Sequence, residues 1–158
     1  MNLYILSVWL HILLACIWVG GMIYTAAVVI PFAVKQSPDE RQRIIRGQAR
    51  KFRMIGWTSI VLLVITGFYN ATQRYALDGI GGLFDKTRVG FWLPRKIEFV
   101  VLMILLVLFH DILSTRAAKQ STGSPDAAPG NRLGSIAAAI ATLLALVVLY
   151  ISVRIVRG

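Results

Sequence analysis

A chain of 158 residues that is 57% hydrophobic and 15% charged is too apolar for a soluble domain, and its length leaves no room for a second domain. The formal net charge of +10 does not indicate nucleic acid as a partner, because the basic residues lie in loops beside apolar segments. There they set membrane topology and contact anionic lipid headgroups. The single cysteine, Cys16, excludes a disulfide framework and a cysteine zinc site.

Four apolar segments are each long enough to cross a bilayer, which takes about 20 residues in a helix. They lie at about 3–34, 52–73, 91–113 and 133–153. The pattern predicts an all-α fold, an integral membrane four-helix transmembrane bundle, as a single domain over 1–158. The first segment lacks a basic start and contains Trp and His, so we expect a retained helix and not a cleaved signal peptide.

The connections between the segments carry their own signals. Ser37-Pro38-Asp39-Glu40 is typical of a helix start, with Ser37 as N-cap, so we expect the first loop to continue as helix into the second span. The stretch 121–130 has the composition of a mobile linker. The glycine-rich stretch 78–84 is interpreted as a flexible connector, with a surface lid as the alternative.

Basic residues are more frequent on one side of the predicted membrane than on the other. Ten of the 17 Lys and Arg residues fall in the loops after the first and third spans. The positive-inside rule then predicts that both termini lie outside the cytoplasm, on the periplasmic side.

His11 is the most informative residue, because it lies inside a long apolar run. An imidazole in hydrocarbon needs partners for both ring nitrogens, since water is absent there. Ionisable groups inside a bilayer usually mark a cofactor, an ion path or a proton relay.

The second span carries a small and polar face that we expect to point into the bundle. Its members are Gly56, Ser59, Leu63, Thr66, Asn70 and Gln73. Such a face provides hydrogen bonds between helices, or it supports a cofactor and its histidine.

The third span places Lys96, Met103 and His110 on one face. Counted at 1.5 Å per residue, His11 lies about 10 Å below the outer boundary and His110 about 24 Å below it. The two imidazoles therefore cannot bind one metal, because such bonds are only about 2 Å long.

Two arrangements remain open: one site near His11 with an unrelated His110, or one site in each leaflet. The outer site would collect His11, Thr66, Asn70 and Lys96. The inner site would collect His110, Arg50, Arg53, Trp57 and Asp111. Arginines beside a histidine suit carboxylates such as haem propionates, or they contact anionic lipid.

Methionines and small residues complete the set of candidates. Met22, Met54 and Met103 are soft ligands suited to copper(I), or they fill the core. The fourth span carries small residues that suit close helix packing or a dimer face, at Gly134, Ala138, Ala141 and Ala145.

These motifs together resemble a known family. Trp9-Leu10-His11, followed by Trp18-Val19-Gly20-Gly21 and an apolar run to Pro31, resembles the opening of the CopD (copper resistance D) membrane domain. Its second helix is similar to Arg50-Lys51-Phe52-Arg53 with Gly56 and Thr66-Gly67, and its third to Lys96 with His110-Asp111. The resemblance covers roughly the first 115 residues. It implies a four-helix unit in a bacterial inner membrane, concerned with copper uptake or resistance.

A more distant resemblance links His11 and Lys96 to the HemJ-type protoporphyrinogen oxidases. It implies a b-type haem and redox chemistry. It stops at these few positions, so the enzyme activity is not carried over.

We therefore expect a bundle that holds a redox metal centre, a haem b with His11 as axial ligand. Lys96, Asn70 and Thr66 would be its neighbours, and His110 would bind a second, inner haem. Two haems at different depths would carry electrons across the membrane, with a quinone or a redox protein as partner. The first alternative is copper binding or transport through His11, Met22 and Met103. The second is an accessory subunit without chemistry of its own, and a homodimer suits any of the three.

Overall fold

The structure, a computed structural model, describes residues 2–75, 88–120 and 132–157, and these fall into two compact units. Unit 1 is Met1–Asp78 and unit 2 is Gly79–Gly158. Within the described ranges all regular structure is helical, with no strand. Four helices are long and apolar enough to cross a membrane: Leu3–Val34, Pro38–Gln73, Trp92–Arg116 and Ile136–Ile155. The predicted all-α fold and its four spans are confirmed.

The first span is one continuous helical rod with a local change of winding. It consists of α1 (Leu3–Tyr24), a π segment (Thr25–Val29) and α2 (Ile30–Val34). The π segment ends two residues before Pro31, which has no N–H to donate and whose ring crowds the carbonyl of the preceding turn. A wider turn relieves that crowding, and the N–H of Ile30 reaches back five residues to the carbonyl of Thr25.

Helix α3 (Pro38–Tyr75) begins where the sequence predicts. The Ser37 hydroxyl accepts a hydrogen bond from the N–H of Glu40 at 3.4 Å, and the acidic residues Asp39 and Glu40 lie in the first turn. With 38 residues, α3 is about 57 Å long, almost twice the hydrocarbon thickness of about 30 Å. The first loop therefore continues as helix, as predicted.

In unit 1, α1 and α3 pack as an antiparallel pair in which rings of one helix lie on glycines of the other. The Phe52 ring lies against Gly21. The Trp18 ring lies 3.6 Å from where a Cβ of Gly56 would stand. Trp18 is only 4% exposed, so this contact is part of the core of the pair. Small residues allow such close approach of helices inside a membrane, where packing has no help from the hydrophobic effect.

In unit 2, α4 (Arg88–Gln120) packs on α5 (Arg132–Arg157). The buried small residues of α5 are Ala137, Ala141 and Ala145, at 5%, 1% and 1% exposed. Where α4 begins and α5 ends, the Arg154 guanidinium lies 5.5 Å from the centre of the Trp92 ring, a cation–π contact.

The buried face of α5 is therefore rotated slightly about the helix axis relative to the small-residue face that the sequence predicts. Ala141 and Ala145 are buried as expected, but Ala138 is only half-buried, because burial follows the i, i+4 row from Ala137. The burial of Gly134 is not described, and the predicted connector or lid at 78–84 and the linker at 121–130 lie outside the described residues. The expectation of a single domain over 1–158 stays a prediction.

Neighbouring glycines offer a matched test of the α1–α3 contact. We expect Gly21→Leu to lower the free energy of unfolding by about 1–3 kcal/mol, because any side chain there meets the Phe52 ring. Gly20→Leu is the control, since no described atom lies within 4 Å of its Cβ position. Thermal unfolding in detergent measures both; equal midpoints for the two variants would contradict the packing described.

Candidate functional site

A polar contact between His11 and Thr66 links α1 and α3 inside the membrane. The distance from His11 Nδ1 to Thr66 Oγ1 is 2.8 Å. The Thr66 hydroxyl also lies 2.7 Å from the carbonyl oxygen of Leu62, one turn earlier in α3, and donates to it. The structure therefore brings together two of the predicted site residues.

The tautomer of the imidazole follows from where the Thr66 hydroxyl sends its one proton, to the Leu62 carbonyl or to His11 Nδ1. When the proton goes to Leu62, the Thr66 oxygen is an acceptor and His11 Nδ1 carries the hydrogen that it donates. In that tautomer of the neutral ring the lone pair is on Nε2. This is the arrangement found in metal-bound histidines, whose second nitrogen donates to a protein oxygen.

Gly67 provides the space for the ring. A Cβ at this position would stand 3.1 Å from His11 Cε1 and 3.7 Å from His11 Nδ1. A side chain here would therefore push the imidazole away from Thr66. From the sequence, Gly67 is only part of a family resemblance, because one sequence does not show which ring a glycine accommodates.

Asn70 lies one turn beyond Thr66 on the same face of α3. Its Oδ1 is buried and has no hydrogen-bond partner among the described residues. A buried carbonyl without a donor costs about 1–3 kcal/mol. Such an atom inside an apolar helix pair indicates a site for a ligand or water that donates a hydrogen bond.

The rest of the predicted polar face of α3 is buried over most of its length. Gly56, Ser59 and Thr66 are buried, while Leu63 and Asn70 are half-buried. Gln73 is exposed, which departs from the expectation of a face wholly inside the bundle. It lies two residues from the end of α3, where a polar side chain reaches water.

Lys96 and His110 both lie on α4 in unit 2, and both are half-buried. They are separated by 14 residues, about 21 Å along the helix, so they cannot share one metal. The Nε2 atom of His110 is 3.5 Å from the Ser114 hydroxyl, at the outer limit of a hydrogen bond. The predicted grouping of Lys96 with His11 joins residues of different units and stays a prediction.

The arginine and tryptophan candidates of the inner site lie on α3. Arg53 and Trp57 are half-buried and Arg50 is exposed, and their spacing puts all three on one face of the helix. Their association with His110 and Asp111 also joins the two units and stays a prediction.

Met22 and His11, both on α1, do not form a cluster. Met22 is 11 residues further along α1, about 16 Å away, which excludes a shared ion. Met103 is 3% exposed on α4, whereas Met54 is 71% exposed, which suits contact with lipid better than a metal site. Over the described ranges, no three His, Cys, Asp or Glu side chains come together in a way that could hold a metal ion.

Comparison with known proteins identifies relatives of this chain. The family model described as CopD, Copper resistance protein D, matches residues 46–154, which is more than half of the chain. An uncharacterized protein of Aquifex aeolicus (strain VF5) is 32% identical over 117 residues, covering 73% of this chain and 73% of that protein. No solved structure matches.

The matched range differs from the extent of the resemblance in the sequence analysis. It begins within α3 and includes α5, whereas the motifs around His11 precede it. The fourth helix, α5, was expected to match only in being apolar, but all of it except the last three residues lies inside the matched range. The resemblance to the HemJ-type oxidases stays a prediction.

The tautomer of His11 can be observed directly by nitrogen NMR of protein labelled with ¹⁵N-histidine in micelles. In a His110→Gln background one imidazole remains. We expect the neutral ring to carry its proton on Nδ1, and Thr66→Ser to preserve that state. Thr66→Val removes the acceptor, so the ring should lose this preference and the protein should lose about 1–3 kcal/mol of stability. A wild-type ring protonated on Nε2 would contradict donation from Nδ1 to Thr66.

Proposed function

The chain belongs to the CopD family, and from that premise we propose that it holds a redox-active metal centre within the membrane, a b-type haem with His11 as axial ligand. The coarser part of this function rests on the family and the spans, which make the chain a copper-related, multi-pass inner membrane protein. The identity of the centre is the proposed part.

The observation that carries the proposal is the link from His11 through Thr66 to Leu62. With the Thr66 proton on the Leu62 carbonyl, it places the lone pair of the neutral imidazole on Nε2 and holds the ring by its other nitrogen. Hydrogen bonds of this kind orient the histidine ligands of metals and increase their basicity. A histidine that only joins two helices would make the same bond, and the absorption test below separates the two roles.

The number of ligands favours haem over a bare metal ion. A porphyrin supplies four nitrogens to its iron, so the protein adds only one or two axial ligands. A copper ion takes all its ligands from the protein, and among the described residues no three His, Cys, Asp or Glu side chains form such a group. A single imidazole on an apolar helix pair therefore suits a haem better than a bare metal ion.

The surrounding residues fit an imidazole ligand and its cofactor. Because Gly67 has no side chain, there is space for the His11 imidazole, and the hydrogen bond with Thr66 orients that ring. The buried Asn70 Oδ1 is an acceptor for a donor on a ligand or on a bound water. When bound, a haem supplies one-electron transfer, while these residues determine ligand orientation, exclusion of water and local charge.

Other parts of the expectation are retained as finer proposals. The roles expected for Lys96 as second ligand or propionate contact, and for Arg50, Arg53 and Trp57 around a second haem at His110, join residues of both units and stay predictions from the sequence. A quinone or a redox protein exchanges electrons with the centre. The excess of basic residues in two loops supports termini on the periplasmic side.

Copper handling is the second candidate, favoured by the description of the family. The buried thioether of Met103 is a soft ligand of the kind that copper(I) prefers. Because His11 and Met22 are about 16 Å apart along α1, they would be separate copper-binding positions along a transport path and not parts of one site.

Absorption and elemental analysis of the purified protein separate the candidates. We expect a Soret band that is lost in His11→Ala, because the variant lacks the axial nitrogen. His110→Ala is the matched histidine variant, and it should lose about half of the absorbance if a second haem is present and none if it is not. A colourless protein with stoichiometric copper would favour the second candidate; a colourless, metal-free protein, or a Soret band unchanged in His11→Ala, would contradict the proposal.

A further inference from the structure

The charges of α3 determine how much of the first span lies inside the bilayer. Residues 54–73 of α3 carry no charge and extend about 30 Å, which matches the hydrocarbon thickness. Eight charged residues occupy 39–53, and charged side chains are costly in hydrocarbon, so the boundary lies near Phe52. The Phe52 ring lies against Gly21, and this contact places the same boundary near Gly21 of the first span.

The remaining residues of the first span, 22–34, consequently project beyond the hydrocarbon. They extend about 20 Å, whereas the headgroup layer on each side is only about 5–8 Å thick. None of them is charged. The large apolar side chains exposed in this projection are Ile23, Tyr24, Val28, Ile30, Phe32 and Val34. Acyl chains do not cover a surface at this height, and a contiguous exposed apolar surface marks an interface.

A row of exposed residues runs along α1 on the side turned away from α3. The residues of α1 that face α3 are His11, Leu14, Trp18 and Gly21. The exposed row, here called the open seam, consists of Leu6, Trp9, Leu13, Cys16, Gly20 and Ile23. Its members alternate at spacings of three and four residues, which is the spacing of a seam between two packed helices. The seam leads directly into the apolar projection.

Small residues in the open seam allow a second helix to approach closely. No described atom lies within 4 Å of the Cβ position of Gly20, and Cys16, one turn earlier, is exposed. Small side chains let helix backbones come close together inside a membrane. By contrast, Ala141 and Ala145, which the sequence offers as part of a dimer face on α5, are already buried.

The distribution of charge favours a second copy of this chain over an acidic partner. Residues 3–34 contain no Asp, Glu, Lys or Arg, so the open seam offers no charge to an acidic protein. Arg43 and Arg50 lie on the side of α3 opposite to Phe52, which faces α1. With two α1 helices between them, the two α3 helices would be about 24–30 Å apart, beyond the screening length of about 8–10 Å.

We propose that two copies of this chain form a parallel dimer along the open seam, with the two-fold axis along the membrane normal. A second copy inserts with the same topology, so it presents the same apolar surface both inside the bilayer and over the 20 Å beyond it. In such a symmetric interface Leu13, Cys16 and Gly20 each lie beside the same residue of the second copy. The dimer does not depend on the identity of the metal centre.

Disulfide cross-linking of the full-length protein in its membrane tests this dimer. Each chain has one cysteine, so any disulfide must join two chains. The bond requires Cα atoms about 4.4–6.8 Å apart, as at a close helix seam. Iodine serves as the oxidant, and non-reducing electrophoresis measures the fraction of chain at twice the monomer mass. We expect the cross-linked form to predominate.

Moving the cysteine by a single position distinguishes an interface from random collision. In a Cys16→Ala background, Leu13→Cys should cross-link as the wild type does. Ile12→Cys should cross-link about tenfold less, because it lies beside the seam and not on it. Collision in lipid predicts the reverse order, since Ile12 is 58% exposed and Leu13 only 39%.

Two open glycines provide a matched pair of packing variants with Cys16 in place. Gly20→Leu should lower the cross-linked fraction about tenfold, because the added side chain separates the two copies. It leaves the α1–α3 contact untouched, so the fold should be preserved. Gly47→Leu, the same change at an open position on α3, should cross-link normally.

Three results would overturn the assignment. Absence of a disulfide from both Cys16 and Leu13→Cys would mean that no second copy lies on the open seam. Equal cross-linking of Leu13→Cys and Ile12→Cys would mean that the chains only collide. An unchanged cross-linked fraction in Gly20→Leu would mean that the helices do not pack closely at this glycine.

Discussion

The hydrogen bond between His11 and Thr66 is the interaction on which the first helix pair depends. An imidazole inside an apolar helix must satisfy its ring nitrogens within the protein, because the bilayer core offers no water. Satisfying Nδ1 at 2.8 Å requires α1 and α3 to approach closely. Glycines on both helices permit that approach, as Gly67 accommodates the imidazole itself.

The same bond connects structure to chemistry. When the Thr66 hydroxyl donates its proton to the Leu62 carbonyl, the ring is held as a donor at Nδ1, which is the tautomer that the proposed ligand role of His11 needs. The buried Asn70 oxygen one turn away adds a second polar group that the helix pair itself does not satisfy. A purely structural histidine leaves that oxygen unexplained, whereas a bound ligand accounts for it.

The sequence was sufficient to predict the four spans and the start of α3, because both rest on local signals: apolar runs of membrane length, and Ser37 before Pro38 and two acids. It also grouped His11 with Thr66 and Asn70, but it did not decide which of them bonds the ring, since that depends on how α1 is rotated against α3. The π segment was missed because the apolar pattern continues through it. On α5 the sequence correctly placed Ala141 and Ala145 in the buried row but chose Ala138 where Ala137 is buried, again because it did not fix the rotation of the helix.

Pulsed EPR of the oxidised, metal-loaded protein tests the central claim most directly, because ferric haem and copper(II) are both paramagnetic. With ¹⁵N-labelled histidine in a His110→Gln background, the hyperfine spectrum should contain the coupling of a directly bound ¹⁵N nucleus, which must come from His11. A metal centre that gives the same spectrum with labelled and unlabelled histidine would contradict the assignment of His11 as its ligand.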